Sequence, residues 1–166
     1  MVIQNALTVD VEDYFQVSAF ENVIPRDQWS SLSCRVEQNT TRIIQMFSDA
    51  DVKATFFMLG WVAERYPDLA REIVNQGHEL ASHGYGHERI TNLTPEVFRE
   101  DVRKTKQLLE DITGVEVRGY RAPSYSIGMS TLWAHDVLQE ENYKYSSSVY
   151  PIRHDLYGIP DAPRVT

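Results

Sequence analysis

The stretch ATFFML at residues 54–59, followed by Gly60, is a short apolar run closed by a turn residue. A run of this length and boundary predicts a buried strand. Similar runs predict four further strands, over residues 6–9, 78–82, 115–120 and 143–146. Apolar residues at helical spacing predict helices between them, over residues 36–47, 66–76, 94–113 and 130–138. Strands that alternate with helices predict an α/β fold with a parallel sheet of right-handed βαβ units.

Helix ends are marked by capping residues. Thr94 and Pro95 suit the first positions of a helix, and Gly114 suits the position after its last residue. Gly77 and Ser130 are expected to play the corresponding C-cap and N-cap roles in two other helices.

Composition limits the classes of protein to consider. At 166 residues with 42% hydrophobic content, the chain is long enough for one globular domain. The net charge of −8 argues against a nucleic-acid partner, because phosphate backbones are bound by clustered Lys and Arg. No basic leader opens the chain, and no apolar run approaches the ~20 residues that span a bilayer, so a cytoplasmic protein without a membrane span is expected. Cys34 is the single cysteine, which excludes an internal disulfide and cysteine-based zinc motifs.

Polar clusters follow three of the predicted strands. Asp10, Glu12 and Asp13 follow the first, His83 and His87 the third, and Arg121 the fourth. In parallel α/β folds the chemistry lies at the C-terminal ends of the strands. The sequence therefore predicts one active site built from all three clusters.

The chemistry of these side chains points to a catalytic metal. Three carboxylates within four residues repel one another unless a cation or raised pKa values offset the repulsion. His83 and His87 can meet on one helical face or across a tight glycine-rich turn. Two histidines and one carboxylate leave coordination positions open for water. Beside the acids, Arg121 can orient a catalytic carboxylate through a bidentate contact.

Four motifs occur in a set order, namely TVDVED at residues 8–13, ATFF at 54–57, GHE at 77–79 continuing to His83 and His87, and RAP at 121–123. Together they resemble the polysaccharide deacetylase family with the NodB homology domain, also called carbohydrate esterase family 4, from residue 6 to about residue 150. The VDVEDY form of the first motif is similar to deacetylases of exopolysaccharide and exosortase gene clusters, near the allantoinase-like branch.

The resemblance implies a distorted (β/α) barrel and gives roles to residues. Asp10 is the expected general base and Arg121 its orienting partner. His83 and His87 are expected ligands of one divalent metal, with Zn²⁺ the expected ion. The third ligand is Glu12 or Asp13, because Val11 separates Asp10 from the next acids. His78 is expected to be a structural hydrogen-bonding residue.

The resemblance also leaves gaps. The family takes its general acid from a Leu-x-His motif that does not occur after residue 130, and His154 is either that acid or a residue of the substrate rim. The family barrel has more than five strands, so residues 1–166 are expected to be a deacetylase domain that is incomplete at its C-terminus. An open sheet edge would then favour self-association.

Three functions are compatible with these residues. The first is an N-deacetylase that removes acetyl groups from the amino sugars of a bacterial polysaccharide, with the oxyanion held partly by a backbone N–H after Pro123. The second is a cyclic-amide hydrolase like the allantoinase branch. The third is a non-catalytic sugar-binding or assembly domain, which the missing acid motivates.

Overall fold

The computed structural model describes residues 5–155 and 157–163. Within them, five parallel strands form one sheet in the order β1-β2-β3-β4-β5. The strands are β1 Thr8–Val11, β2 Thr55–Met58, β3 Glu79–Ser82, β4 Gly119–Tyr120 and β5 Tyr145–Ser146. Each strand therefore pairs with the next one along the chain, as right-handed βαβ connections allow. The predicted α/β fold with a parallel sheet is confirmed.

Helices connect the strands. They are α1 Val36–Asp49, α2 Gly60–Arg65, α3 Pro67–Asn75, α4 Pro95–Thr113 and α5 Trp133–Glu140. The capping of α4 is as predicted, since Thr94 accepts a hydrogen bond from Val97 N and Gly114 has a left-handed φ of +71°. The prediction for Ser130 is wrong, because α5 begins at Trp133 without a side-chain cap.

Helix α2 is absent from the sequence prediction. Gly60 does not close β2 with a turn but begins this helix. A side chain at this position would meet Tyr85, because a Cβ built there lies 2.6 Å from the Tyr85 ring. The glycine thus permits the close approach of α2 to the segment after β3.

The core lies around β2, and β1 is at the edge of the sheet. Phe56, Phe57 and Met58 are buried, as the apolar run predicts. The prediction of a buried first strand is wrong for residues 6–8, which are exposed at the edge of the sheet, where β1 pairs with β2 alone among the described strands. β1 also continues further than predicted, since Val11 still pairs with Met58.

Some predictions fall on other parts of the chain. The predicted absence of a leader concerns residues 1–4 in part, and the predicted incompleteness at the C-terminus concerns residues 164–166; both ranges lie outside the described residues. Among the helices of the described part, none has the length and apolar content needed to cross a membrane.

Candidate metal centre

Three side chains converge beside the C-terminal ends of β1 and β3. Glu12 directly follows β1, and His83 directly follows β3. One ligand atom from each of Glu12, His83 and His87 lies within 4.8 Å of the other two. Both imidazoles are buried, whereas the Glu12 side chain is 19% exposed. The three residues could share one ion that remains accessible from the carboxylate side.

A strained turn brings the two histidines together. Gly84 has φ of +76° and His87 has φ of +52°, and the imidazole centroids lie 5.3 Å apart. The turn is held from outside, because Gly60 N and Trp61 N donate to the carbonyls of Gly84 and Tyr85 over 2.9 and 3.0 Å. Of the two predicted arrangements, the glycine-rich turn is the one observed.

The Asp101 carboxylate holds the same turn from α4. It accepts hydrogen bonds from Tyr85 N at 3.1 and 3.2 Å. Burial raises the pKa of Asp101 to about 6. No motif in the sequence pointed to this residue.

His83 is oriented as a metal ligand. Its Nδ1 lies 2.8 Å from the Arg121 carbonyl oxygen, which can only accept, so this nitrogen carries the hydrogen. The lone pair is then on Nε2. Burial lowers the pKa of His83, which favours the neutral ring that coordinates a cation.

The Glu12 carboxylate has an unsatisfied oxygen at the centre of the cluster. Its Oε2 lies 2.9 Å from His87 Nε2, but the two atoms lack the alignment of a hydrogen bond. Within residues 5–155 and 157–163, this buried oxygen has no hydrogen-bond partner. Burial raises the pKa of Glu12, yet His87 and His83 outweigh it, so the pKa is lowered and the carboxylate stays ionised. An ionised oxygen, two imidazoles and an unsatisfied valence fit a divalent cation.

Asp13, the alternative third ligand, is used elsewhere. Its Oδ1 accepts a hydrogen bond from Tyr14 N at 2.9 Å. Its Oδ2 accepts from Arg35 N at 2.5 Å and from Val36 N at 2.9 Å, at the start of α1. The carboxylate is buried among these donors. Of the two predicted alternatives, the structure therefore brings Glu12, and not Asp13, to the two histidines.

Asp10, which is partly exposed, and buried Arg121 form an ion pair next to the cluster. Arg121 Nη1 donates to Asp10 Oδ1 over 2.7 Å, while Asp10 Oδ2 lies 4.0 Å from His83 Nε2. The predicted bidentate contact is wrong, because Nη2 donates instead to Thr8 Oγ1 and Ser147 Oγ. Arg121 also lies over the Phe57 ring at 4.0 Å. Arg121 thus holds one oxygen of Asp10 and leaves the other facing His83.

Three further histidines lie outside the cluster, and predictions were made for two of them, His78 and His154. His78 precedes β3, at the opposite end of the strand from His83, and accepts a hydrogen bond from Ala54 N at 3.2 Å. This contact is the structural role expected for His78. His154 stacks on Tyr157 with ring centroids 4.0 Å apart, in a group that also contains Tyr125 and Tyr150.

Comparisons with known proteins support the resemblance to polysaccharide deacetylases. Residues 27–145 match the family model for polysaccharide deacetylase, which is more than half of the chain. A peptidoglycan-N-acetylglucosamine deacetylase from Bacillus cereus is 32% identical over 84 residues, which are 51% of this chain and 30% of that protein. A peptidoglycan deacetylase from Helicobacter pylori is 29% identical over 113 residues, 68% of this chain and 38% of that protein. The chain thus spans well under half the length of these curated relatives.

Solved structures show the same fold. A candidate polysaccharide deacetylase from Mycobacterium smegmatis aligns with a TM-score of 0.72 and 27% identity, over 87% of this chain and 50% of that chain. A pseudoenzyme of carbohydrate esterase family 4 from Bacillus anthracis aligns with a TM-score of 0.63 and 22% identity, over 85% of this chain and 41% of that chain. With the family model matched and the parallel α/β sheet shared, the chain belongs to the polysaccharide deacetylase (NodB, carbohydrate esterase 4) family.

Proposed function

We propose that this chain carries the active-site part of a metal-dependent hydrolase that removes N-acetyl groups from amino sugars of a bacterial polysaccharide. The observation that carries the proposal is the Glu12-His83-His87 cluster beside the Asp10–Arg121 pair. Two curated relatives are described as peptidoglycan deacetylases, which supports an acetylated glycan as the substrate class. The VDVEDY motif at residues 9–14 supports the exopolysaccharide-associated branch.

Glu12, His83 and His87 would hold the ion, and two nitrogens with one oxygen suit Zn²⁺. When bound, such an ion supplies Lewis acidity, which polarises a carbonyl group and lowers the pKa of water.

Asp10 is placed to act as the general base. Its Oδ1 is held by Arg121, so the carboxylate has a fixed orientation. Its Oδ2 faces His83, the side on which the ligands converge. This oxygen would take a proton from the water that attacks the acetamide carbon. The C–N bond then breaks to give acetate and an amine that takes up a proton. His154 is either the donor of that proton or a residue of the substrate rim.

Acetate release tests the proposal. We expect residues 1–166 alone to be weakly active or inactive. In a form of the protein that turns over, we expect Zn²⁺ loading to permit release of acetate from N-acetylated glycans, and Glu12→Gln and His83→Ala to lose both metal and activity. His135→Ala is the matched control, because this half-buried histidine of α5 lies outside the cluster. Ring opening of a cyclic amide without acetate would favour the cyclic-amide hydrolase instead. Glycan binding without turnover in metal-loaded protein would favour the non-catalytic domain.

A further inference from the structure

The turn that joins His83 to His87 is strained at one of these two histidines. His87 has φ of +52°, in the left-handed region that residues other than glycine rarely adopt. Such a conformation costs free energy and persists only where surrounding groups hold it in place. The groups that hold this turn therefore determine whether the two imidazoles, whose centroids lie 5.3 Å apart, stay within reach of one ion.

Tyr85 lies at the middle of the turn, two residues from each histidine. Its backbone is held from two sides, because its N–H donates to the Asp101 carboxylate of α4 and its carbonyl oxygen accepts from Trp61 N of α2. Its side chain is held by the same two helices. The hydroxyl donates to Glu64 Oε2 over 2.6 Å, and Lys104 Nζ lies 3.6 Å from the centroid of the ring. Helices α2 and α4 thus hold the turn through Tyr85.

Asp101 is the hydrogen-bond acceptor on the side of α4. Both of its oxygens accept from the single Tyr85 N–H, at 3.1 and 3.2 Å. The carboxylate also packs directly against the turn, since a Cβ built on Gly84 would lie 3.0 Å from Asp101 Oδ2. A hydrogen bond to an ionised acceptor is roughly twice as strong as one between neutral groups. Ionised Asp101 therefore restrains the turn more strongly than a neutral acceptor in its place would.

Stability alone does not explain an acid at this position. Burial raises the pKa of Asp101 to about 6, so at pH 7.5 the ionised side chain makes the fold less stable than a neutral one would. The charge nonetheless lies on the amide at the middle of the turn that carries both imidazoles. A side chain that costs stability beside a candidate site points to a role in the function of that site.

We propose that Asp101 is a positioning residue of the metal centre, which holds the Tyr85 amide so that both imidazoles of the turn face one ion. Asp101 is outside the ligand cluster and acts through the turn. The inference rests on the proposed function, because it assumes an ion at this centre. Without the Asp101 carboxylate the turn would relax from its strained conformation, and an ion would have to restore that conformation on binding. The affinity for the ion would therefore fall.

The zinc affinity of the full chain, measured without substrate, tests this role. Zn²⁺ alone is the probe, and its Kd is measured at pH 7.5 by competition with a chromophoric chelator. We expect Asp101→Asn, which keeps one acceptor oxygen, to raise the Kd about 3-fold, and Asp101→Ala to raise it about 10-fold. The visible absorption bands of bound Co²⁺ should shift in the same order, because they depend on the geometry of the ligands.

Two variants of α4 serve as controls. Glu100→Gln removes a negative charge from the neighbouring, exposed residue, and Leu109→Ala removes packing from a buried residue about 12 Å further along the helix. Leu109→Ala should lower Tm in EDTA, and both controls should bind zinc as the parent does. Asp101→Asn should show the reverse, namely weaker zinc binding with a Tm in EDTA at pH 7.5 no lower than that of the parent.

Three results would overturn the positioning role. An unchanged Kd in both Asp101 variants would show that the restraint on the turn does not affect the ion. A loss of zinc affinity in Leu109→Ala equal to that in Asp101→Ala would assign the effect to general destabilisation. Equal losses in Asp101→Asn and Asp101→Ala would assign the effect to the negative charge alone.

These outcomes are distinct from those of the acetate assay. If zinc binding weakens as expected but no acetate is released, the positioning role stands without the proposed activity. If acetate is released but the Asp101 variants bind zinc as the parent does, the proposed function stands and the positioning role fails. If the parent binds no zinc, the metal centre and the positioning role fail together.

Discussion

Replacing Asp13 by Ala tests whether this acid is a structural residue. The change removes the acceptor of three backbone N–H groups, of which that of Val36 is buried and those of Tyr14 and Arg35 are partly buried. Loss of a helix cap costs about 1 kcal/mol, and each buried donor left unsatisfied costs about 1–3 kcal/mol. Because the donors share one carboxylate and relax together, we expect a total of about 3–5 kcal/mol. At roughly 2–4 °C per kcal/mol for a chain of this size, Tm falls by about 6–20 °C.

Urea and thermal unfolding in EDTA measure this loss without any contribution from an ion. The stability of Asp13→Asn should lie between that of Asp13→Ala and that of wild type. Its amide keeps one acceptor oxygen, but its NH₂ group then faces a backbone N–H group. Glu12→Gln is the matched control. It removes the Glu12 charge and its 2.9 Å contact with His87 but leaves the three backbone donors of Asp13 paired, so the free energy of unfolding in EDTA should fall less than in Asp13→Ala, while zinc binding is lost. The structural assignment is refuted if Asp13→Ala unfolds as wild type does, or if the folded variant at low temperature no longer binds zinc.

Three further outcomes are expected. Asp10→Asn should lower activity at least about 10²-fold and keep the zinc, and loss of zinc would make Asp10 a ligand. Because the pKa of Asp101 is raised from 3.8 to about 6, its contribution to stability is fully present below about pH 4 and is lost as pH rises through 6. In Asp101→Asn, the free energy of unfolding in urea should not show this fall between pH 4 and pH 6. The same pH dependence in the variant and in wild type would contradict the assignment to Asp101. Since β1 and β5 each pair on one side only within the described sheet, light scattering should show self-association, and a stable monomer would argue against it.

The sequence predicted the sheet because its signals are local. The apolar run at residues 54–59 and the caps Thr94 and Gly114 each specify an element without help from distant residues. Asp10, His83, His87 and Arg121 were predicted together because parallel strands end at one edge of the sheet. The structure brings these four side chains to that edge.

Other features of the site depend on where the chain turns in space, and the spacing of residues along the sequence does not reveal this. Glu12 and Asp13 are adjacent acids, and only the extension of β1 to Val11 and the position of α1 separate a potential ligand from a helix cap. Ser147 and Asp101 reach Arg121 and the histidine turn from distant parts of the chain. Gln16 and Trp29 lie in a segment without helical or strand periodicity, so no pattern marked them as neighbours of His87.

Two backbone amides at the start of α2 hold the histidine turn, although α2 itself supplies no metal-binding residue. Binding of an ion by the turn should therefore affect the start of α2. Gly60 N and Trp61 N fix the carbonyls of Gly84 and Tyr85, so much of the ordering cost of the turn is met when the protein folds. Linkage between binding and conformation is reciprocal. An ion held by His83 and His87 would therefore slow local opening of the β2–α2 junction, and hydrogen exchange at Gly60 and Trp61 would report on occupancy of the site.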